Sequence, residues 1–162
     1  MSVTLIRIDD RVLHGQTVTR WVGTRPCKGI LIVDNGIAND PFQTKIFKNA
    51  APTGIKVGVF DEEEGAKRIT KANSVANGYF VIVKSPRTLV NLLEAGVDLG
   101  KKVNVGPMSA RANTTVVGRN CALTEDEAEA FEELTQKGVE VEFQLIPDAS
   151  PTLWNSIKEK LK

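Results

Sequence analysis

His14 is the only histidine in the chain, in the run Arg7-Ile8-Asp9-Asp10-Arg11-Val12-Leu13-His14-Gly15-Gln16. An imidazole is a good nucleophile near neutral pH because much of it is unprotonated. To carry a phosphoryl group it needs cations and amide donors close by. Arg11, in the same run, offers a planar fork of donors. A helix predicted to begin near Gly15 would aim its free amides and positive dipole end at the same point. Gly15 lets the backbone approach closely, and Gln16 is the next residue of that helix start. Asp9 or Asp10 could orient Arg11 or the ring. The bland alternative is a solvated surface loop with one incidental histidine.

The elements that would position this run follow from hydrophobic patterning. Val3 to Ile8 reads as a strand and Gly15 to Val22 as a short helix with Val18, Trp21 and Val22 inward. Ile30 to Val33 and Tyr79 to Val83 are continuous apolar runs, as in strands buried on both faces. Ile55 to Phe60 and Lys102 to Val105 add further strands, and Val139 to Ile146 alternates like another. Asp40-Pro41 and Ser85-Pro86 are cap-and-proline pairs that open helices. Asp61 to Ala72 is an acidic-started helix, Thr124 to Lys137 has a capping box with Gly138 closing it, and Pro151 to Leu161 reads as a final helix. Strand and helix alternating at this spacing predict a single α/β domain, an open and mostly parallel sheet with helices on both faces. Ligands of such sheets sit beyond the carboxyl ends of the strands. Four loops qualify: Asp9 to His14, Asp34 to Asn39, Lys84-Ser85 and Gly106 to Thr114. Pro107 to Thr115 has no clear pattern and reads as a functional loop or irregular strand.

Composition narrows the function classes. The chain has 162 residues with 21 Lys+Arg against 20 Asp+Glu, a formal net charge of +1. That balance gives no electrostatic case for nucleic acid or an anionic membrane surface as partner. No apolar run approaches the ~20 residues that span a bilayer, no signal peptide is evident at Met1, and the chain reads as cytoplasmic. Cys27 and Cys121 cannot alone make a disulfide framework or zinc site and read as packing residues. No metal site and no cofactor are expected. Ser85 caps a helix, and its place at a strand's carboxyl end also makes it a phosphate-binding candidate. Asp34 with Asp9/Asp10 would suit a receiver-type signalling module with Asp34 as phosphate acceptor, a second reading that requires magnesium.

The run Arg7 to Gln16, with Val18 and Arg20-Trp21, resembles the active-site signature of the IIB components of the mannose/fructose/sorbose family of the bacterial phosphoenolpyruvate-dependent sugar phosphotransferase system. Ala38-Asn39-Asp40 with Phe42-Gln43, Ala51-Pro52, Glu94-Ala95-Gly96-Val97, Val103-Asn104-Val105-Gly106, Leu123-Thr124 with Asp126, and Gly138-Val139 extend the resemblance over nearly the whole chain. It implies that His14 is phosphorylated by a IIA partner, that Arg11 supports the phosphoryl group with Asp10 nearby, and that the group passes to a sugar imported by a membrane IIC/IID permease. A chain of this kind would work peripherally at the inner face of the membrane. The loops at the strands' carboxyl ends would then form the docking face, with Lys84, Arg87 and Arg111 as a basic rim. The sequence departs from the family at Gly106-Pro107-Met108-Ser109-Ala110-Arg111, where Pro107 removes a backbone donor. It leaves open which sugar is used and the oligomeric state.

Overall fold

The computed structural model describes residues 2–161, apart from the side chain of Gln16. Apolar runs, capped helices and short turns alternate in the order β1 (Val3–Ile8), α1 (Gly15–Val22), β2 (Gly29–Val33), α2 (Asn35–Ala38), α3 (Pro41–Asn49), β3 (Lys56–Phe60), α4 (Glu62–Asn73), β4 (Tyr79–Val83), α5 (Pro86–Glu94) and β5 (Lys102–Val105). A hairpin follows, β6 (Thr115–Gly118) with β7 (Cys121–Leu123), then α6 (Glu125–Gln136), β8 (Glu140–Phe143), β9 (Thr152–Leu153), α7 (Trp154–Lys158) and a 3-10 turn, Glu159–Leu161. The main sheet has seven strands in the order β3-β2-β4-β1-β5-β8-β9, parallel except for β9.

This order decides which helix covers which face. The connections from β1 to β2 and from β2 to β3 step one way across the sheet; those leading to β4, β5 and β8 step the other way. With right-handed crossovers, opposite steps place helices on opposite faces. The two apolar clusters agree. One joins Leu5, Val18, Trp21, Ile30 and Phe80 with Phe47 of α3. The other joins Ile6, Ile8, Val83, Leu89 and Phe131 under α4, α5, α6 and α7. Along β1, therefore, Leu5 and Arg7 face α1 while Ile6 and Ile8 face the opposite layer, as the two-residue period of a strand requires.

The caps are those the sequence signalled. Asp40 accepts from the amides of Phe42 and Gln43, Ser85 from that of Arg87, and Thr124 with Glu127 closes a full capping box. The sequence reading did not foresee α2, inside the expected Asp34 to Asn39 loop, or the β6–β7 hairpin, and two further elements have other bounds than expected. The expected final helix over Pro151 to Leu161 begins instead as β9, because Thr152 and Leu153 pair antiparallel with Phe143 and Glu142 at the sheet edge. The expected strand over Val139 to Ile146 stops at Phe143, where the Gln144 side chain turns the chain by donating to the carbonyls of Pro147 and Ala149. The patternless Pro107 to Thr115 is anchored at its start: buried Met108 exchanges backbone hydrogen bonds with Asn120 and Ala122.

Candidate active site

The site begins with a charge where the strand pattern asks for an apolar side chain. Arg7 lies in the central strand and is only 3% exposed. Its guanidinium lies 5.0 Å from the centre of the Trp21 ring. It donates to the carbonyls of Gln144 (2.9 Å) and Leu145 (3.0 Å) and to the side chain of Asn104. Asp9, two residues on and on the same face, is equally buried, and its Oδ2 stands 3.5 Å from Arg7 Nε. Burial pushes the Asp9 carboxyl above the usual carboxylate range, against the Arg11 amide and the Arg7 guanidinium, which favour the anion. Burial likewise lowers Arg7, while Asp9 holds it up. The pair survives in the interior because each group also has backbone or amide partners.

After Asp9 the chain turns sharply. The Asp9 Oδ1 accepts the Arg11 amide at 2.9 Å, and the Val12 amide bonds to the Asp9 carbonyl at 3.0 Å. Val12 takes φ 63°, a left-handed conformation that costs a β-branched residue on the order of 1–3 kcal/mol. Burial of the Val12 side chain helps hold it there. This turn brings His14 back over the strand end as the residue that starts α1, so that its Nε2 faces Asp9 Oδ2 at 3.6 Å. The Nε2 is buried without a hydrogen-bond partner, although the side chain as a whole keeps 23% of its surface exposed. No side chain caps α1, so its first amides remain available to an outside anion. A Cβ on Gly15 would meet nothing within 4 Å, so the space before these amides is open. Arg11 is exposed, and its guanidinium has no partner among the described residues.

This arrangement suits a nucleophilic nitrogen that receives an anionic group. The ring is partly exposed, its Nε2 side rests on a buried carboxylate, and the exposed Arg11 and the uncapped first amides of α1 belong to the same loop and helix start. The space enclosed under the ring is only about 10 Å³, too small to hold a sugar.

Residues 3–162 match the family model of the PTS system sorbose subfamily IIB component. The chain belongs to that family. The fructose-specific EIIB component of Bacillus subtilis (strain 168) is 33% identical over 93% of this chain and 92% of its own length. The mannose-specific EIIAB component of Escherichia coli (strain K12) is 30% identical over 90% of this chain but only 45% of its own. The crystal structure of the IIBSor domain of the sorbose permease from Klebsiella pneumoniae is 26% identical and superposes with a TM-score of 0.91 over 98% of each chain. This is therefore a IIB component of the phosphotransferase system of sugar transport. Among the described residues, no helix is long and apolar enough to cross a membrane.

The other residues singled out in the sequence fall elsewhere in this IIB chain. Asp9, not Asp10, is the carboxylate beside the ring. Asp10 points away, accepting the Ser109 amide at 2.7 Å, while its own amide bonds to the Pro107 carbonyl. It clasps the Pro107–Ser109 loop to the active-site turn. Ser85 caps α5. Asp34 is not a free acceptor, because its carboxylate caps α2 through the Ile37 amide. Both line a separate cleft of about 360 Å³ with Asp10, Lys84, Arg111 and Glu127. The expected basic rim is largely spent inside the molecule: Arg87 pairs with Asp126 (2.9 Å) and Glu133, and Arg111 with Glu127. Only Lys84 of the three has no partner among the described residues. Gln16 lies in α1, and its side chain is outside the described residues. Sequence reasoning missed Arg7 and Val12. An arginine inside an otherwise apolar strand, with an aspartate two places on, was a signal for the first; nothing local signals a left-handed valine.

Proposed function

We propose that His14 accepts a phosphoryl group at Nδ1 from a phosphorylated IIA-type partner and yields it to a sugar held by a IIC/IID permease at the inner face of the membrane. The observation that carries this is the placement of the ring: Nε2 is buried 3.6 Å from Asp9 Oδ2 on a side chain that stays 23% exposed, which leaves Nδ1 as the nitrogen to react. In the first transfer the donor's N–P bond breaks as Nδ1–P forms, and the bonding pair stays on the donor imidazole. The Nε2 proton stays facing Asp9, whose anion stabilises the cationic character of the phosphorylated ring. Arg11 and the first amides of α1 neutralise the phosphoryl oxygens. In the second transfer a sugar hydroxyl oxygen attacks phosphorus, Nδ1 leaves with its electron pair and the hydroxyl proton is released. The IIA and IIB parts named together in the EIIAB relative support a IIA-type donor.

Incubation with phosphoenolpyruvate, the general phosphotransferase proteins and a IIA partner tests the proposal. The chain should gain an acid-labile, base-stable phosphate whose phosphorus NMR signal is that of a Nδ1 adduct, and His14→Ala should gain none. Substantial label on His14→Ala, or a Nε2 adduct on the wild type, overturns it.

A further inference from the structure

Helix α3 carries the most exposed large apolar side chain of the described residues. Phe42 is 72% exposed and Ile46, one turn later, is 48% exposed. Spaced i and i+4, they form one stripe on the outer surface of the helix. Nothing in the helix explains it as packing: α3 buries no residue fully, and its contact with the core runs through Phe47. Exposed Lys45 borders the stripe, and exposed Lys48 follows it on the side away from the stripe, neither paired among the described residues. Pro41 to Asn49 contains no acidic residue, and Asp40 spends its carboxylate on capping.

The stripe also lies on the working edge of the molecule. α3 runs back from the carboxyl end of β2, so its first turn, with Phe42, stands at the same sheet edge as His14. α1 and α3 cover the same face, packed into one cluster with Val12, Leu13 and Ile37 between them. α3 packs on β3, which β2 and β4 separate from β1, a lateral offset of about 14 Å. A standard interface of ~800 Å² per partner reaches about 16 Å from its centre. A partner of that size seated on His14 therefore reaches the start of α3.

We propose that the Phe42–Ile46 stripe, with Lys45 beside it and Lys48 one turn beyond Lys45, is the anchor for the phosphoryl-donor domain, which presents to it an apolar pocket rimmed by acidic side chains. This rests on His14 being the phosphoryl acceptor. Aromatic side chains set in a polar rim are the usual carriers of binding energy. The cations that Arg87 and Arg111 do not supply come from Lys45, Lys48, Lys84 and Arg11. The permease is the poorer match, because the cytoplasmic loops of membrane proteins carry excess Lys and Arg, which would repel this stripe.

The test measures phosphoryl transfer from the phosphorylated donor to the wild type, Phe42→Ala and Ile46→Lys. Labelling by phosphoramidate, a small donor that needs no docking, is measured alongside. At low donor concentration each variant should accept phosphate about 10- to 30-fold more slowly, converging on the wild-type rate at saturating donor. Phosphoramidate labelling should be unchanged. Lys45→Glu with Lys48→Glu should slow acceptance most at low salt, where exposed charges are least screened. Wild-type acceptance by both apolar variants overturns the proposal. So does normal acceptance combined with slowed delivery to permease-bearing vesicles, or loss of binding to anionic lipid vesicles as the only defect. If the donor fails to label even the wild type, it is the reading of His14 that has failed.

Discussion

Replacing Asp9 by asparagine removes one negative charge from a buried cluster without changing its size. The carboxylate has three neighbours: Oδ1 accepts the Arg11 amide at 2.9 Å, and Oδ2 faces Arg7 Nε at 3.5 Å and His14 Nε2 at 3.6 Å. An asparagine that keeps the first contact turns its NH2 toward two donors; one that flips loses the Arg11 amide. Either way the buried Arg7 cation loses its counter-charge, and breaking a buried pair from one side costs about 3–5 kcal/mol. Arg7 keeps the Gln144 and Leu145 carbonyls, and a neutral side chain is cheaper to bury than Asp9, so we expect about 3 kcal/mol. For a chain of this length that lowers the unfolding midpoint by about 6–12 °C. Arg7→Met with Asp9→Asn should cost less than the two single changes added. Transfer to His14 should fall at least about 10²-fold, because the ring loses the anion that fixes its tautomer and balances its charge. Asp10→Asn should leave most of the rate intact. Calorimetry and rapid-quench transfer from the phosphorylated donor measure the two effects. A wild-type midpoint together with a wild-type rate in Asp9→Asn would refute the buried-pair argument.

Three further outcomes follow. Ser85→Ala loses the cap bond to the Arg87 amide and should lower the midpoint by about 2–4 °C with transfer unchanged; a tenfold slower transfer at unchanged stability would make Ser85 a phosphate ligand. Gly106→Ala places a Cβ 2.8 Å from the Arg7 Cζ, and because that guanidinium is pinned, it should cost about 1–3 kcal/mol and slow transfer with it; unfolding at the wild-type midpoint would show that Arg7 gives way freely. Burial pushes both thiols, Cys27 and Cys121, up to about 11. Native alkylation at about pH 8 should therefore run roughly 200-fold slower than in the unfolded chain, rising tenfold per pH unit until about pH 11; equal rates in native and denatured protein would contradict it.

The architecture was legible because its signals are local. Caps and prolines marked the starts of α3, α5 and α6, and the continuous apolar runs at Ile30 and Tyr79 marked strands covered on both faces. The candidate loop stood out in the sequence through the lone histidine and its neighbouring Arg11. What stayed hidden depends on contacts distant in sequence. Whether Asp9 or Asp10 meets the ring depends on the turn at Val12. Whether Arg87 and Arg111 are free depends on where the acidic face of α6 packs. Thr152 and Leu153 became a strand because an unpaired sheet edge was available to them, a fact absent from the residues themselves.

The strand order also gives the active site a timetable. β1 is held between β4 and β5, so the turn from Asp9 to His14 hangs from a strand whose two neighbours are made long after it. A ribosome adding 5–20 residues per second takes about 5–20 s to travel the roughly hundred residues from Ile8 to Val105, and Gln144 and Leu145, which anchor Arg7, come later still. Until then the arginine has no acceptors, the aspartate no cation and the histidine no wall behind it. A nascent or truncated chain thus carries every residue of the signature yet holds the His14 ring in no fixed orientation. The ring is held in place only once Gln144 and Leu145 have been made and packed against Arg7.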